Sequence, residues 1–465
     1  MKRNKIIHSV NVENMAAEGK AIGRHEGKVI FIDGAIPGDV LDVTVYKSKK
    51  DYSMAKPLNI LNPSPERTAP FCIHFEVCGG CKWQHLQYEH QLKYKQQVVE
   101  DAFRRIAKLD VPEVLPIIGS PKTRFYRNKL EFTFSNKRWL TTEELNLRDI
   151  ITDRDALGFH IPGAFDKVLD IQECWLQDDI NNSVRNEVKD FAVKNNYTFF
   201  DLRQQEGLLR NLIVRTTTTG EVMVIVIFYF NDYDKINKLL SHLQEQFPEI
   251  TSLQYIINSK RNDSIFDQEV IPFGGKDFII ENLGGYQFKI GPKSFFQTNS
   301  YQAHQLYQRG LELADLHPDD VVYDLYTGTG TIAIYMARHC KKVVGIEQIP
   351  EAIRDAHFNA KLNDIENATF IAGDMKDVLK PEFIEENGAP NVILTDPPRA
   401  GMHPDVVNVI MNSGAGKVVY ISCNPATQAR DIQLLSEKYQ LQLIQPMDMF
   451  PHTFHIENIA LLTKK

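Results

Sequence analysis

A chain of 465 residues with 43% hydrophobic and 24% charged residues has the composition of a globular protein, and its length suits roughly two to four domains. The formal charge of -7 gives no overall basic excess, so contact with nucleic acid must rest on local patches. No run of about 18 apolar residues occurs, and no apolar stretch follows the basic Lys2, Arg3 and Lys5, which predicts a cytoplasmic protein with no membrane partner. Six cysteines in so long a chain are too sparse for a secreted disulfide framework and read better as ligands or nucleophiles.

Residues 28–33 and 40–46 are strand-like and flank a turn-rich break at 34–39, which predicts a small β-barrel over residues 1–62. Prolines at positions 63, 65 and 70 read as a linker. Lys47, Lys49 and Lys50, and again Lys93, Lys95, Arg104 and Arg105, read as solvated faces. A helix is expected over 91–107, with Val98, Ala102, Phe103 and Ile106 close to one stripe. Strand patterns at 129–134, and a hairpin of 212–216 with 222–228 about Gly220, make residues 63–295 a mixed α+β central domain. From about residue 299, short apolar strands alternate with amphipathic helices, which predicts a Rossmann-like doubly wound α/β domain over 296–465.

Residues 321–333 read as a strand, a glycine turn and the start of a helix. Gly328, Gly330 and Ala333 fit the pattern G-x-G-x-x-A, and Glu347 follows nineteen residues after Gly328 at the end of the next apolar run. A structural turn would explain the glycines alone, but an acid placed there holds the two hydroxyls of a ribose. Asp374 closes the next strand, placed to meet an adenine amino group. Asp396 closes the one after, followed by Pro397, Pro398 and Arg399, and rigid prolines there shape a floor beneath a flat base. The apolar run 418–421 then delivers Cys423 to a strand end, where a thiol is either a small buried hydrophobe or a nucleophile.

Cys72, Cys78 and Cys81, separated by five and two residues with Gly79 and Gly80 between the last two, suggest a metal site. Cys174 is the natural fourth thiolate, because Cys340 is expected within a helix and Cys423 at the sheet. Four thiolates suit zinc or an iron–sulfur cluster, and spacing looser than paired C-x-x-C leans towards iron–sulfur.

Together these segments resemble the RNA uracil-C5-methyltransferase family over nearly the whole chain. The likeness rests on the N-terminal barrel, the four cysteines, 295–299 (Phe-Phe-Gln-Thr-Asn), Asp324 to Tyr326, Asp396 to Arg399, 422–427 around Cys423, and 450–457 ending at Glu457. The resemblance implies a TRAM-type, OB-like RNA-binding barrel, a 4Fe-4S cluster on Cys72, Cys78, Cys81 and Cys174, and S-adenosylmethionine as methyl donor. It implies that Gln297, Tyr326, Glu347 and Asp396 line the cofactor pocket, with Gly328, Gly330 and Asp374 from the motif above. Cys423 becomes the nucleophile and Glu457 the base. Thr327 departs from the cysteine of many relatives, at a position without a catalytic role.

The chemistry explains the residue types. Uracil C5 is too weak a nucleophile to take a methyl group from a sulfonium unaided. A thiolate added at C6 makes it an enolate, and a base must afterwards remove the C5 proton. The target base must be splayed out of its stack, with Phe295 or Phe296 available for stacking, and Arg124, Tyr126, Arg127 and Lys129 form a basic and aromatic run suited to RNA. Because the tRNA-specific bacterial branch of the family it resembles lacks such a barrel, the resemblance implies ribosomal RNA, most simply 23S, over tRNA as partner, and a monomer is expected. An N-methyltransferase would need no thiol, and Arg399 stands where it would want an aromatic. A non-enzymatic RNA-binding factor would have no reason to keep Cys423, Glu457, Gly328 and Gly330.

Overall fold

Alternating apolar residues close the first five strands into a barrel: β1 Lys5–Met15, β2 Ala21–His25, β3 Lys28–Ile32, β4 Val40–Ser48 and β5 Tyr52–Asn62, in the order β1-β2-β3-β5-β4. β1 pairs antiparallel with both β2 and β4, which shuts the barrel around Val10, Ile32, Leu41, Val43 and Ala55. The computed structural model describes residues 5–146, 151 and 153–465; Lys2 and Arg3 lie outside them. The chain divides into two units, one of Met1–Phe71, Cys81–Pro121 and His304–Lys465, the other of Cys72–Gly80 and Lys122–Ala303.

In the first unit the proline-rich stretch after β5 is strapped to the barrel rather than loose. Asp39 is buried, and its carboxylate accepts from Arg67 Nε at 2.7 Å, Arg67 Nη2 at 2.6 Å, the Ile36 N–H at 2.8 Å and the Ser64 N–H at 3.0 Å. Trp83, Leu86 and Tyr94 then join the barrel's core. The helix Tyr88–Ala102 continues through a wider turn at Phe103–Ala107. Its buried stripe is Gln91, Tyr94, Lys95, Val99, Phe103 and Ala107, offset from the expected Val98, Ala102 and Ile106. The inward face carries two polar residues, so counting apolar residues alone slides the register. Lys95, expected on a solvated face, is fully buried.

The same unit holds a seven-stranded sheet of β15 Val321–Leu325, β16 Lys342–Glu347, β17 Ala368–Ala372, β18 Val392–Thr395, β19 Lys417–Ser422, β20 Tyr439–Met447 and β21 Glu457–Lys464. Their order is β17-β16-β15-β18-β19-β21-β20. The first five are parallel, and β21 runs antiparallel to β19 and to β20. This is the expected doubly wound sheet, and its strand order reverses between β15 and β18, where the carboxyl ends leave a crevice for ligands. Cys340 lies past the end of the helix Thr331–Ala337 rather than inside a helix.

The second unit is a mixed sheet of β6 Lys129–Ser135, β7 Ala156–Ile161, β8 Ala164–Asp170, β9 Leu209–Thr216, β10 Val222–Phe228, β11 Ile250–Ile257 and β12 Val270–Gly275, in the order β12-β11-β10-β9-β6-β7-β8. The expected hairpin is β9 with β10, antiparallel. Both strands are buried throughout, as their unbroken apolar runs demand. The antiparallel pair β13 Ile279–Leu283 and β14 Tyr286–Ile290 follows. Among the described residues no helix is long and apolar enough to cross a membrane.

The Asp39 cluster gives a stability prediction. Burial alone would raise the Asp39 carboxyl, but the Arg67 hydrogen bond, the Ile36 and Ser64 N–H groups and the guanidinium charge outweigh it and hold the group below the usual range. Asp39→Ala leaves Arg67 without its counter-charge and should cost about 3–5 kcal/mol at neutral pH. Because the folded pKa is depressed, the contribution is complete above the unfolded value of about 4 and disappears as pH falls through the folded one. Denaturation of the wild type and the variant from pH 7 down to pH 3 should therefore show converging stabilities; a constant gap would contradict the ion pair's role.

Candidate functional site

The turn after β15 is built from backbone conformations that few residues adopt. Tyr326, Gly328 and Gly330 have φ of 65°, 56° and 78°, in the left-handed region where glycine is unstrained. The two glycines serve different ends. A Cβ on Gly330 would lie 3.0 Å from Ala356 and Phe370, whereas one on Gly328 would meet nothing within 4 Å. Gly330 thus permits packing, and Gly328 borders open space at the crevice. The Gly328 N–H donates to Glu347 Oε2 at 3.2 Å, and Glu347 Oε1 accepts from the Ile349 N–H at 3.0 Å. Asp374, at the end of β17, accepts from the Lys376 N–H at 3.2 Å. Tyr326 has its hydroxyl pushed up to about 12 by burial and by the Asp431, Asp374 and Glu347 carboxylates.

Four titratable groups gather where β15, β18 and β19 end and β21 begins. Asp324 is fully buried and accepts from Thr327 Oγ1 at 2.5 Å through Oδ2, and the Ala333 N–H is also directed at its carboxylate. Burial lifts it to about 7, against the pull of the Thr327 hydrogen bond. Asp396, directly after β18, is also lifted to about 7, by burial and then by Asp324. Glu457, the first residue of β21, is buried with Oε2 lacking a partner, and burial followed by the Asp396 charge raises it well above the carboxylate range. Cys423 is half-buried just past β19, its thiol raised to about 11 by burial and then by Glu457, with an Arg399 hydrogen bond pulling the other way.

The last strand explains this meeting. β21 pairs antiparallel with β19 up to Ser422 opposite Asn458, so Cys423 and Glu457 are the next residues of the two strands towards the same end. The Cys423 loop is tied to the Asp396 loop: Asn424 Nδ2 and Thr427 Oγ1 donate to the Arg399 carbonyl at 3.0 and 3.2 Å. Arg399 Nη2 donates to His455 Nδ1 at 2.5 Å, and that ring packs on Phe454 with centroids 4.3 Å apart.

The first unit therefore brings together Cys423, Glu457, Asp396 and the Tyr326–Gly330 turn, with Glu347 and Asp374 along the neighbouring strand ends. Gln297 belongs to the second unit, where its carbonyl accepts from Asn128 Nδ2 at 2.9 Å. Phe296 is core, 6.1 Å from Phe288, while Phe295 is exposed. Tyr126 is buried, unlike Arg124, which leaves the basic run without that aromatic. Of the four cysteines expected to share a cluster, Cys72 and Cys174 interact electrostatically. Among the described residues no group of three or more His, Cys, Asp or Glu side chains is arranged to hold a metal ion. Cys72, Cys78 and Cys174 belong to the second unit and Cys81 to the first.

Two participants escaped the sequence. Asp324 stood only as part of a motif, and its titration follows from burial beside Asp396. Tyr307, on the helix Ser300–Ala314, is raised well above the phenol range by burial and by Asp396, Tyr335, Asp324 and Glu457. Nothing in its helical spacing separates it from a core tyrosine.

A family model described as tRNA (uracil-5-)-methyltransferase matches residues 199–465, and a TRAM domain model matches residues 8–58. The chain is 56% identical over 96% of its length to an uncharacterized RNA methyltransferase of Bacteroides thetaiotaomicron, of which it covers 99%. The chain belongs to the RNA uracil-C5-methyltransferase family. A second RNA methyltransferase, from Porphyromonas gingivalis, is 51% identical over 98% of this chain and 99% of its own. Among solved structures, the tRNA (uracil-54, C5)-methyltransferase of Pyrococcus abyssi in complex with S-adenosyl-L-homocysteine is 28% identical. It has a TM-score of 0.76 and covers 98% of this chain and 100% of its own. As a member of this enzyme family the chain has the barrel, central region and parallel-sheet methyltransferase domain that the sequence suggested.

The electrostatics of the site predict the reactivity of its thiol. Alkylation of Cys423, followed by mass spectrometry of its peptide, should be slow at pH 7 and rise towards pH 10, since the thiolate is the reactive form. Glu457→Gln removes a neighbouring negative charge and should shift that profile to lower pH, whereas Arg399→Ala should shift it upward. Unmoved profiles would show that the three groups do not share one field.

Proposed function

We propose that this enzyme methylates C5 of a specific uridine in RNA, most simply in 23S ribosomal RNA, using S-adenosylmethionine. The observation that carries the mechanism is the placement of Cys423 and Glu457 one residue beyond the Ser422–Asn458 pair, at the same end of β19 and β21, where the Glu457 charge acts on the thiol. The residues present suit the cofactor: Gly328 borders open space, Glu347 and Asp374 offer carboxylates at successive strand ends, and Tyr326 and Asp396 flank the turn. Gln297, implied by the family resemblance, belongs to the same proposed set. When bound, the cofactor supplies a methyl group on a sulfonium.

The Cys423 thiol loses its proton to solvent, a loss that the Arg399 hydrogen bond favours. The thiolate sulfur forms a bond to C6, and the C5–C6 electron pair moves into an enolate. C5 of that enolate would accept the methyl group that a bound sulfonium would supply, with the neutral thioether as leaving group. Glu457 removes the C5 proton, the double bond re-forms, and the C6–sulfur bond breaks to return the thiolate. A carboxylate raised by burial is the stronger base for that proton. Exposed Phe295 and the cations Lys122 and Arg124 are offered to RNA, and the TRAM match supports an RNA-facing role for the barrel.

Residues 1–62 act in this proposal as the RNA-binding barrel, 63–295 as the central domain and 296–465 as the methyltransferase domain, in a monomeric cytoplasmic enzyme. The 4Fe-4S assignment to Cys72, Cys78, Cys81 and Cys174 rests on spacing and family resemblance. Iron with acid-labile sulfide in an anaerobic preparation would support it, and stoichiometric zinc would replace it. A tRNA substrate is the second reading, favoured by the Pyrococcus enzyme's match along nearly the whole chain.

Cys423→Ala should lower methylation by at least about 10³-fold. RNA carrying 5-fluorouracil at the target should trap the wild-type enzyme in a complex that survives denaturation, because fluorine does not leave as a proton; absence of such a complex on a good substrate would refute the covalent route. Mapping 5-methyluridine in ribosomal and transfer RNA from cells with and without the gene decides the substrate. Loss confined to tRNA would overturn the ribosomal assignment.

A further inference from the structure

The strand that begins with Glu457 is reached through residues 448–456, and this short stretch is held by a buried polar network from a distant part of the chain. Lys95 Nζ donates to Asp448 Oδ1 at 2.6 Å, with both side chains 0% exposed. The same ammonium donates to the Phe450 carbonyl at 3.1 Å, and the Phe450 N–H donates to Asp448 Oδ1 at 3.0 Å. Tyr88 donates its hydroxyl to Asp448 Oδ2 at 2.9 Å and accepts from the Ser120 N–H at 2.7 Å.

One helical turn before Lys95, Gln91 Oε1 accepts from the His452 N–H at 2.8 Å, and Gln91 Nε2 lies 3.2 Å from His452 Nδ1. The His452 carbonyl accepts from the N–H groups of Lys82 and Trp83 at 2.8 and 3.0 Å. His452 has a φ of 65°, a left-handed conformation that a bulky residue keeps only where its surroundings over-determine it. Beyond it, Thr453 Oγ1 donates to the Phe450 carbonyl at 2.8 Å and accepts from the His455 N–H at 3.2 Å. Glu457 then pairs with Met447, which closes the stretch on itself.

An ion pair this deep is a poor source of stability, because well-packed apolar residues often serve as well or better. We propose that Lys95 and Gln91 are positioning residues for Glu457: by fixing Asp448 and His452 they set where the base stands against the adduct on Cys423. The proposal rests on Glu457 being the base that removes the C5 proton.

The test uses the full-length enzyme with its RNA substrate and S-adenosylmethionine. Lys95→Met alone would strand the Asp448 charge and risk unfolding, so it is combined with Asp448→Asn, which keeps an acceptor for the Phe450 N–H. Gln91→Leu forms an uncharged second variant, and Glu457→Gln is the reference. Thermal melting establishes that each is folded. The positioning role predicts a kcat lower by on the order of 10- to 100-fold, KM values for RNA and cofactor unchanged, and a denaturation-resistant enzyme–RNA adduct carrying a methylated base, as in Glu457→Gln. A lower melting temperature with normal turnover and no adduct would overturn it, as would lost turnover with raised KM and no adduct. If Glu457→Gln itself neither accumulates the adduct nor loses turnover, the base assignment fails and the positioning role falls with it. An adduct in Glu457→Gln but in neither network variant removes the positioning role alone.

Discussion

The antiparallel return of β21 along β19 is the constraint on which the candidate site depends. In a parallel sheet every strand presents its last residue and the loop after it to the ligand side, so Asp324, Asp396 and Cys423 all arrive from the carboxyl ends of β15, β18 and β19. Only a strand running the other way can present its first residue there. β21 does so, with Ser422 opposite Asn458 in the last pair, and Glu457 lies one residue beyond that pair, close enough for its charge to act on Cys423. A shift of one residue in this register would turn Glu457 to the other face. The apolar run 459–462, fully buried apart from its partly exposed Leu461, resists that shift.

Placing three carboxyl groups together away from water is unfavourable for any state in which all are ionised. The upward displacement of Asp324, Asp396 and Glu457 expresses that cost. Tyr307 feels the same field, and the Cys423 thiol is pushed towards its neutral form. Such a cluster favours a cation, and in the proposed reaction both the sulfonium and the Arg399 guanidinium have the right sign. A carboxyl near 7 also exchanges protons readily at neutral pH, where general acid–base work is most effective.

Much of this was legible in the sequence because the local signals agreed with the global fold. The glycine turn after β15, the acid at the end of β16, the prolines after Asp396 and the apolar run into Cys423 all mark strand ends, and strand ends are what a doubly wound sheet brings together. Less was legible where polar residues point inward. The helix Tyr88–Ala102 buries Gln91 and Lys95, and a reading based on apolar periodicity set its stripe one residue off. The proline-rich stretch after β5 resembled a linker because its anchor, Arg67 to Asp39, is a long-range ion pair with no local pattern. Tyr307 carries no mark in the sequence at all. The cysteine spacing names four residues, three of them in the second unit and Cys81 in the first.

The inward polar residues and the site are parts of one physical arrangement. Lys95 and Asp448 are separated by 353 residues, and neither charge can be buried cheaply before the other arrives. Docking of the helix Tyr88–Ala102 and closure of residues 448–456 therefore go together. From Gly19 in the barrel, whose added Cβ would press on Trp83 and Phe454, contacts continue through Phe454 to His455, Arg399 and Cys423. Continuity of contact alone does not establish energetic coupling. What gives this path mechanical content is that its members are held from opposite sides, by barrel core, buried ion pair and β-ladder, so a displacement of 448–455 has little room to relax before it reaches the first residue of β21.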